Sequence, residues 1–355
     1  MTTFYKLKVL AIDKPIADAT TITFAVPAGV EEQFNFHAGQ HLVLKFVVNG
    51  KAVRRSYSLN SNPFANENLQ VTVKRVKNGL VSNFVNDELQ VGDELEAMIP
   101  QGRFYAEIQM DAYKTYFLFA AGSGITPIIS IAKAVLWASP KSVVHLFYGN
   151  NNQDTIIFKE ELDALVEQNP KRFNIIYTLS EPKVWTSWQQ WKGRKGRIDA
   201  KAVEWFIANH PPIAQSTEYY ICGPGAMNVA IKNTLLSLGV PKELVFIEQF
   251  GGTIEATKTI KAFPDAQIIA HLNGQSYDLQ IPEGKTILSV LKSAGAKPSY
   301  SCESGVCGTC VAKLTKGKAE MKACMALDDS EIEAGLILMC QALPTTEEVE
   351  CVVEN

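Results

Sequence analysis

The chain is 355 residues long, enough for two or three domains, and its 46% hydrophobic and 20% charged residues are the balance of a globular protein. The formal net charge is −3, with no basic tract or basic–aromatic stripe, which excludes nucleic acid as an expected partner. MTTFYKLKVLAI at the start lacks the marks of a secretory leader, and the most apolar long window, from Tyr116, is broken by Gly-Ser-Gly, a proline and Lys133. No membrane span is expected, and the expected compartment is the reducing cytoplasm, where clustered cysteines more often serve metal or catalysis than disulfides. Residues 1–110 carry short runs of β-formers, TITFAV, HLVLKFVV and LQVTVKRV, broken by Gly, Pro and Asn. One short helical pattern, LVSNFVNDEL, interrupts them, and the block reads as a small antiparallel barrel or sandwich.

From residue 111 the rhythm changes. The apolar strands TYFLFA, SVVHLFYGN, RFNIIYTLS and TEYYICGPG each end at a polar or glycine-rich turn. Between them stand the helix candidates ITPIISIAKAVLWA, FKEELDALVEQN and AMNVAIKNTLLSLG. Strand–helix alternation predicts a parallel α/β sheet over residues 111–250, whose ligands bind beyond the C-terminal strand ends. Residues 251–262 read as a linker. The last block, 263–355, holds the strand-like AQIIAHLNG, SYDLQI and TCVAKLTKG and a short helix in KTILSVLKSAG. It carries seven lysines against thirteen acidic residues, a charge that can steer a protein partner or be ordinary solvated surface.

Within that block Cys302, Cys307 and Cys310 are spaced C-x4-C-x2-C, with Cys340 further on. This is the plant-type [2Fe–2S] ligand spacing. Four thiolates must converge on a compact cluster, and Gly305 and Gly308 relieve the steric limits of that wrap and let amides approach the sulfurs. Cys324 and Cys351 compete for the fourth place; Cys340, closing the apolar run GLILMC, is the expected ligand. A structural zinc is the other reading, but zinc usually takes two separated pairs, and only one C-x2-C exists here.

Upstream, Arg55-Ser56-Tyr57-Ser58 resembles the R-x-Y-S motif of ferredoxin-NADP reductase-like flavoproteins. FHAGQHL resembles their F-x-x-G-Q segment, GLVSNFV their G-x-x-S turn, and GDELEAMIPQGRF the closing strands of their barrel. The chemistry suits these residues: Arg55 can pair with a flavin pyrophosphate, Tyr57 offers a flat face to the isoalloxazine ring, and Ser58 can hydrogen-bond near flavin N5. Gly79, Leu80, Val81 and Ser82 present amides at a helix start, a natural anion site. His37 and His41 flank the matched Gly39-Gln40 pair in a strand-like segment, an arrangement that does not favour metal.

The same family has a segment like FAAGSGITPIISI, in which Gly122, Gly124, Thr126 and Pro127 line the dinucleotide. The resemblance implies that Cys222, followed by Gly223 and Pro224, lies near the reacting nicotinamide carbon, and that Phe250, ending IEQF, covers the flavin or shapes nicotinamide entry. Relatives selective for NADP often place Ser-Arg after the third strand; here the pair is Ser180-Glu181, with Lys183, Arg194, Lys195 and Arg197 nearby, and both NADH and NADPH stay open.

The implied fold is multidomain: an antiparallel β-barrel for FAD (1–110), an α/β parallel-sheet NAD(P) domain (111–250), a linker (251–262) and an α+β β-grasp ferredoxin domain (263–355). That order is similar to the reductase subunits of bacterial multicomponent oxygenases. It implies hydride transfer from NAD(P)H to FAD, FMN being the other reading, and single electrons passed through [2Fe–2S] to an oxygenase component. The chain shows neither H-x-x-E-H nor E-x-x-H, so oxygen chemistry falls to that partner. Alternatives are the reductase of another hydroxylase, dioxygenase or desaturase, and, more distantly, a non-catalytic module holding zinc.

Overall fold

The computed structural model describes residues 3–183, 191–213, 216–250, 260–305, 307–324, 326–327 and 329–353. The expected linker lies largely outside the described residues. The chain divides into two compact units, one of residues 5–53 and 57–250, the other of the C-terminal region with the short segments 1–4 and 54–56.

The larger unit begins with six antiparallel strands: β1 (Tyr5–Ile16), β2 (Ala19–Ala25), β3 (His41–Val48), β4 (Lys51–Ser58), β5 (Leu69–Lys74) and β6 (Glu94–Ala97), with helix α1 (Leu80–Asp87) before the last. Their order is β4-β3-β6-β1-β2-β5, and Leu59 opposite Val71 joins the two outer strands into a barrel. Alternate residues point inward, so Leu42, Leu44 and Phe46 of β3 meet Ile22 and Phe24 of β2 in one core. Gly39 bends the chain into β3 with φ of +109°, and a Cβ there would stand 2.6 Å from the Phe104 carbonyl oxygen; both facts demand glycine.

The second half of this unit is a parallel sheet: β7 (Lys114–Ala121), α2 (Ile125–Ala138), β8 (Val143–Asn150), α3 (Lys159–Gln168), β9 (Phe173–Leu179), β10 (Arg194–Lys195), α4 (Ala200–Asn209), β11 (Ser216–Gly223), α5 (Gly225–Ser237) and β12 (Val245–Gln249). The order β10-β9-β8-β7-β11-β12 reverses direction between β7 and β11, which opens a crevice at their C-terminal ends. β7 and β8 are almost wholly buried, as strands covered on both faces must be. Helix α4 was not among the expected elements; Asp199 starts it by accepting the Ala202 amide hydrogen.

The C-terminal unit contains β13 (Ala266–Leu272), β14 (Gln275–Ile281), α6 (Ile287–Ser293), β15 (Val311–Lys316), β16 (Ala319–Met321), α7 (Asp329–Glu333), β17 (Leu336–Leu338), β18 (Ala342–Pro344) and β19 (Glu348–Val353). Five strands form one mixed sheet, β14-β13-β19-β15-β17, with β13 and β19 parallel at its centre. Helix α6 buries Ile287, Leu288 and Leu291 in the core of this unit. Among the described residues no helix is long and apolar enough to cross a membrane.

Candidate active site

The R-S-Y-S segment ends β4. Period-two alternation puts Arg55 and Tyr57 on one face and Ser56 and Ser58 on the other. Arg55 is exposed, its Nη1 donating to the Arg54 carbonyl at 2.7 Å, while Tyr57 is half-buried against Phe46. Ser58 is buried, and its Oγ donates to the Glu248 carboxylate at 3.3 Å. The backbone here is held by the matched upstream motif: the Leu59 amide donates to Gln40, whose side-chain amide reaches the Gly102 carbonyl. Gly79 precedes Leu80 and Val81, which open α1, and a Cβ at Gly79 would fall 2.4 Å from Ser82 Oγ. That Oγ accepts the Val76 amide hydrogen and pins the turn.

Glu248 stands on β12 directly opposite Cys222 of β11. Burial pushes the Glu248 pKa up to about 8, with the Ser58 hydrogen bond pulling the other way. Burial, then the Glu248 charge, pushes the Cys222 thiol far up, so it is no thiolate nucleophile. Three side chains from strands remote in sequence thus share one enclosed spot. Gly124 makes the approach: a Cβ on it would lie 2.1 Å from the Cys222 carbonyl oxygen.

A cavity of about 610 Å³ opens beyond these strand ends. Gly122, Gly124, Gly223, Pro224 and Phe250 line it, while Thr126 and Pro127 occupy the first turn of α2 and Thr126 Oγ1 caps the Ser123 carbonyl. Three further liners were not singled out from sequence. Lys74 has its pKa lowered by burial, opposed by Asp18. Asn150, 8% exposed, has no hydrogen-bond partner for either side-chain atom among the described residues. Asp199, the α4 cap, is the third. Asn150 had a signal, a polar residue closing an apolar strand; Lys74 had none. Of the residues weighed for nucleotide choice, Ser180 and Arg197 line the cavity. Lys183 pairs instead with Asp154, and Arg194 lies over the Trp205 ring. Glycine contacts, the unpartnered amide and the amides opening α2 fit a phosphorylated dinucleotide.

In the C-terminal unit, the Cys302 sulfur accepts amide hydrogens from Ser304 and Cys307, each at 3.4 Å. Cys310 and Cys340 are buried side by side; the Met339 amide donates to the Cys310 carbonyl at 2.9 Å, and the Gly305 amide reaches the Cys340 sulfur. Gly305 has φ of +79°, and a Cβ on it would sit 2.5 Å from the Ala323 carbonyl oxygen, so glycine is required on both counts. The thiols stand as two neighbouring pairs, Cys302 beside Cys307 and Cys310 beside Cys340, and among the described residues no three form a tight metal-binding group. Sulfur donors with amides aimed at them still fit an iron–sulfur cluster. Cys351 points into the core of β19, wholly buried, its thiol pushed up to about 12. Cys324 Sγ lies 3.8 Å from the Leu327 carbonyl oxygen. His41 is core too: buried, with neither ring nitrogen hydrogen-bonded among the described residues and its pKa pushed down to about 4.

A flavin-type barrel, a parallel sheet with a dinucleotide crevice and a cysteine-loop module define a modular pyridine-nucleotide reductase. Comparison with known proteins agrees. An oxidoreductase FAD-binding domain model matches residues 7–105, an oxidoreductase NAD-binding domain model 118–233, and a 2Fe-2S iron-sulfur cluster binding domain model 270–345. The chain is 33% identical to a component of the 1,2-phenylacetyl-CoA epoxidase of Escherichia coli, over 98% of this chain and 97% of that one. It is also 33% identical to the ferredoxin reductase component of 3-ketosteroid-9-alpha-monooxygenase of Rhodococcus rhodochrous, over 97% and 95%. Phthalate dioxygenase reductase shares the fold along 99% of this chain and 98% of its own, with a TM-score of 0.58 at 24% identity. An intact type IV self-sufficient cytochrome P450 monooxygenase matches at a TM-score of 0.67 and 19% identity, this chain spanning 41% of that longer one.

The chain belongs to the family of FAD-, NAD(P)H- and [2Fe–2S]-dependent reductase components of multicomponent oxygenases. It is an oxidoreductase that takes electrons from NAD(P)H and serves an oxygenase component, and the zinc-module reading falls to the 2Fe-2S match.

Proposed function

We propose that this chain is the reductase of a phenylacetyl-CoA epoxidase system working in the cytoplasm. Its domains would be a FAD barrel at 1–110, an NAD(P) domain at 111–250 and a ferredoxin domain at 263–355, with 251–262 between the last two. The observation that carries the reading is the end-to-end similarity to the Escherichia coli epoxidase component. Equal identity to the 3-ketosteroid-9-alpha-monooxygenase component keeps a second reading beside it.

Arg55, Ser56 and Tyr57 would hold the flavin, with the Gly79–Ser82 turn presenting amides to its phosphates. Gly122, Gly124, Thr126, Pro127, Gly223 and Pro224 would frame the nucleotide, and Phe250 would shape the entry of its nicotinamide. Bound there, the flavin supplies the exchange between hydride and single electrons, and the cluster the single-electron exit. Ser58 and Cys222 flank the reacting region. Glu248, with a pKa of about 8, keeps a proton at neutral pH and shares a hydrogen bond with Ser58 Oγ, which leaves a proton-holding group beside the reacting atoms without a second negative charge. Cys302, Cys307, Cys310 and Cys340 would ligate the cluster.

Reconstitution tests the partner. The purified holoprotein, NAD(P)H and the oxygenase components of the phenylacetyl-CoA and 3-ketosteroid systems are combined separately and product is measured. Product with the first alone supports the proposal; product with the second alone replaces it.

A further inference from the structure

Helix α2 opens at the nucleotide crevice and, two turns on, reaches back to the barrel. Ser130 Oγ donates to the Ser61 carbonyl at 2.7 Å, and Lys133 Nζ donates to the Asn60 carbonyl at 3.1 Å. Ser130 and Lys133, three apart, lie on one helix face. Their acceptors come directly after the R-S-Y-S segment, two and three residues beyond Ser58. On the barrel side the same stretch is fastened by the Asn60 amide, which donates to the Gln70 carbonyl at 2.9 Å, and by Ser61 Oγ, which accepts the Gln70 amide hydrogen. Ser130, Asn60 and Ser61 are buried, and the Lys133 side chain is 10% exposed.

A nearly buried lysine is an expensive way to hold two layers together. Among the described residues its charge pairs with Glu161, itself 41% exposed, and an apolar side chain of similar length would fill the space with a smaller desolvation penalty. What an apolar side chain lacks is direction. An ammonium hydrogen-bonded to one backbone carbonyl fixes where that carbonyl stands relative to the helix; packing alone lets the layers slide.

We propose that Lys133 and Ser130 are positioning residues: they lock the exit of the flavin strand onto the helix whose first turn holds the nucleotide, and so set how the flavin and nicotinamide rings meet. The inference rests on the flavin and nucleotide assignments above. Neither residue touches the reacting atoms.

The test uses flavin-loaded protein and the variants Lys133→Met and Ser130→Ala. Reduction by NAD(P)H is followed anaerobically by stopped flow, together with nucleotide Kd and the long-wavelength charge-transfer absorption of the reduced flavin with oxidised nucleotide. That band reports ring overlap, which a merely structural residue would leave alone. The expected result for Lys133→Met is a limiting reduction rate lower by roughly tenfold to a hundredfold, since about 1 Å of misplacement has an effect of that order. The charge-transfer band weakens, while Kd stays within about twofold because the crevice itself is intact. Ser130→Ala, which removes one hydroxyl, shows the same pattern at smaller size and carries the test if Lys133→Met does not fold. Variants that match the wild type in rate and band overturn the inference alone. A wild-type flavin that NAD(P)H does not reduce overturns the functional reading and this inference with it.

Discussion

Gly124→Ala isolates the closest approach in the crevice. The glycine has ordinary helical dihedrals, so backbone strain plays no part and the argument is contact alone. Its added Cβ would meet the Cys222 carbonyl oxygen at 2.1 Å, the Cys222 carbonyl carbon at 2.6 Å and the Gly223 nitrogen at 3.0 Å, all backbone atoms. Restoring ordinary contact at 3.4 Å needs about 1.3 Å of movement. β7 and β11 cannot supply it, because they are paired residue by residue from Ser216 opposite Lys114 to Cys222 opposite Ala120. The turn must move instead, and with it the amides that open α2. Overpacking of this kind costs roughly 1–3 kcal/mol, a fall in Tm of roughly 3–10 °C for a unit of this size. The displaced turn should also slow flavin reduction by NAD(P)H roughly a hundredfold at saturating nucleotide. Differential scanning calorimetry and stopped-flow reduction measure the two effects. A variant with wild-type Tm and wild-type reduction rate would refute the claim that this glycine exists for backbone approach.

Glu248→Gln tests the proton-holding group: wild-type reduction should decline as pH rises through about 8, and the variant should lack that limb; an identical pH profile in both removes Glu248 from the chemistry. Cys340→Ala should lose iron and the cluster's visible absorption, whereas Cys324→Ala and Cys351→Ala keep them, and retained iron in the first dismisses Cys340 as a ligand. Arg197→Ala should weaken binding of 2′,5′-ADP by about tenfold more than that of 5′-AMP, read by calorimetry; equal weakening places Arg197 away from the 2′ position. His41 has a folded pKa of about 4 against 6.5 when unfolded, so its contribution is whole above pH 6.5 and is lost as pH falls toward 4, about 3 kcal/mol in all. Glu248, raised, acts in the opposite direction, so the measurement is the difference in denaturant stability between wild type and His41→Asn from pH 7 to 4; parallel curves contradict the burial argument.

Elements with a strong period and clear punctuation were legible in the sequence. Helix α2 spans the expected ITPIISIAKAVLWA residue for residue, because a glycine-rich turn and Pro127 mark its start. The short helix after Gly79 was legible for the same reason, and so was the strand of HLVLKFVV. Helix α4 was not, since AKAVEWFIAN follows closely on a charged stretch with no proline to mark its start, and Asp199 alone among its flanking residues signals the cap. The cysteine loop was legible in its spacing, while the burial of Cys351 in the core was not, because a cysteine in an alternating strand can face either way. Lys74 and Glu248 were illegible as cavity and site residues. Each lies in an ordinary strand, and what distinguishes it is an environment assembled from remote segments: Ser58 and Glu248 are 190 positions apart.

The same physics explains why the reaction class is so much better determined than the partner. The elements that frame the three candidate sites pack backbone against backbone, and glycines stand where one segment passes so close to another that a Cβ would clash, as at Gly39, Gly124 and Gly305. Such constraints are local, and they mark the sequence at fixed spacings. Recognition of an oxygenase imposes nothing comparable, because electrons need only a brief encounter between complementary surfaces. The C-terminal block, with thirteen acidic residues against seven lysines, has the charge for such an encounter, yet many different arrangements of those residues would steer a basic partner equally well. Equal identity to an epoxidase component and to a ketosteroid monooxygenase component is the expected consequence: the relay is shared, and what separates the partners lies in surface side chains that whole-chain identity weighs no more than any other.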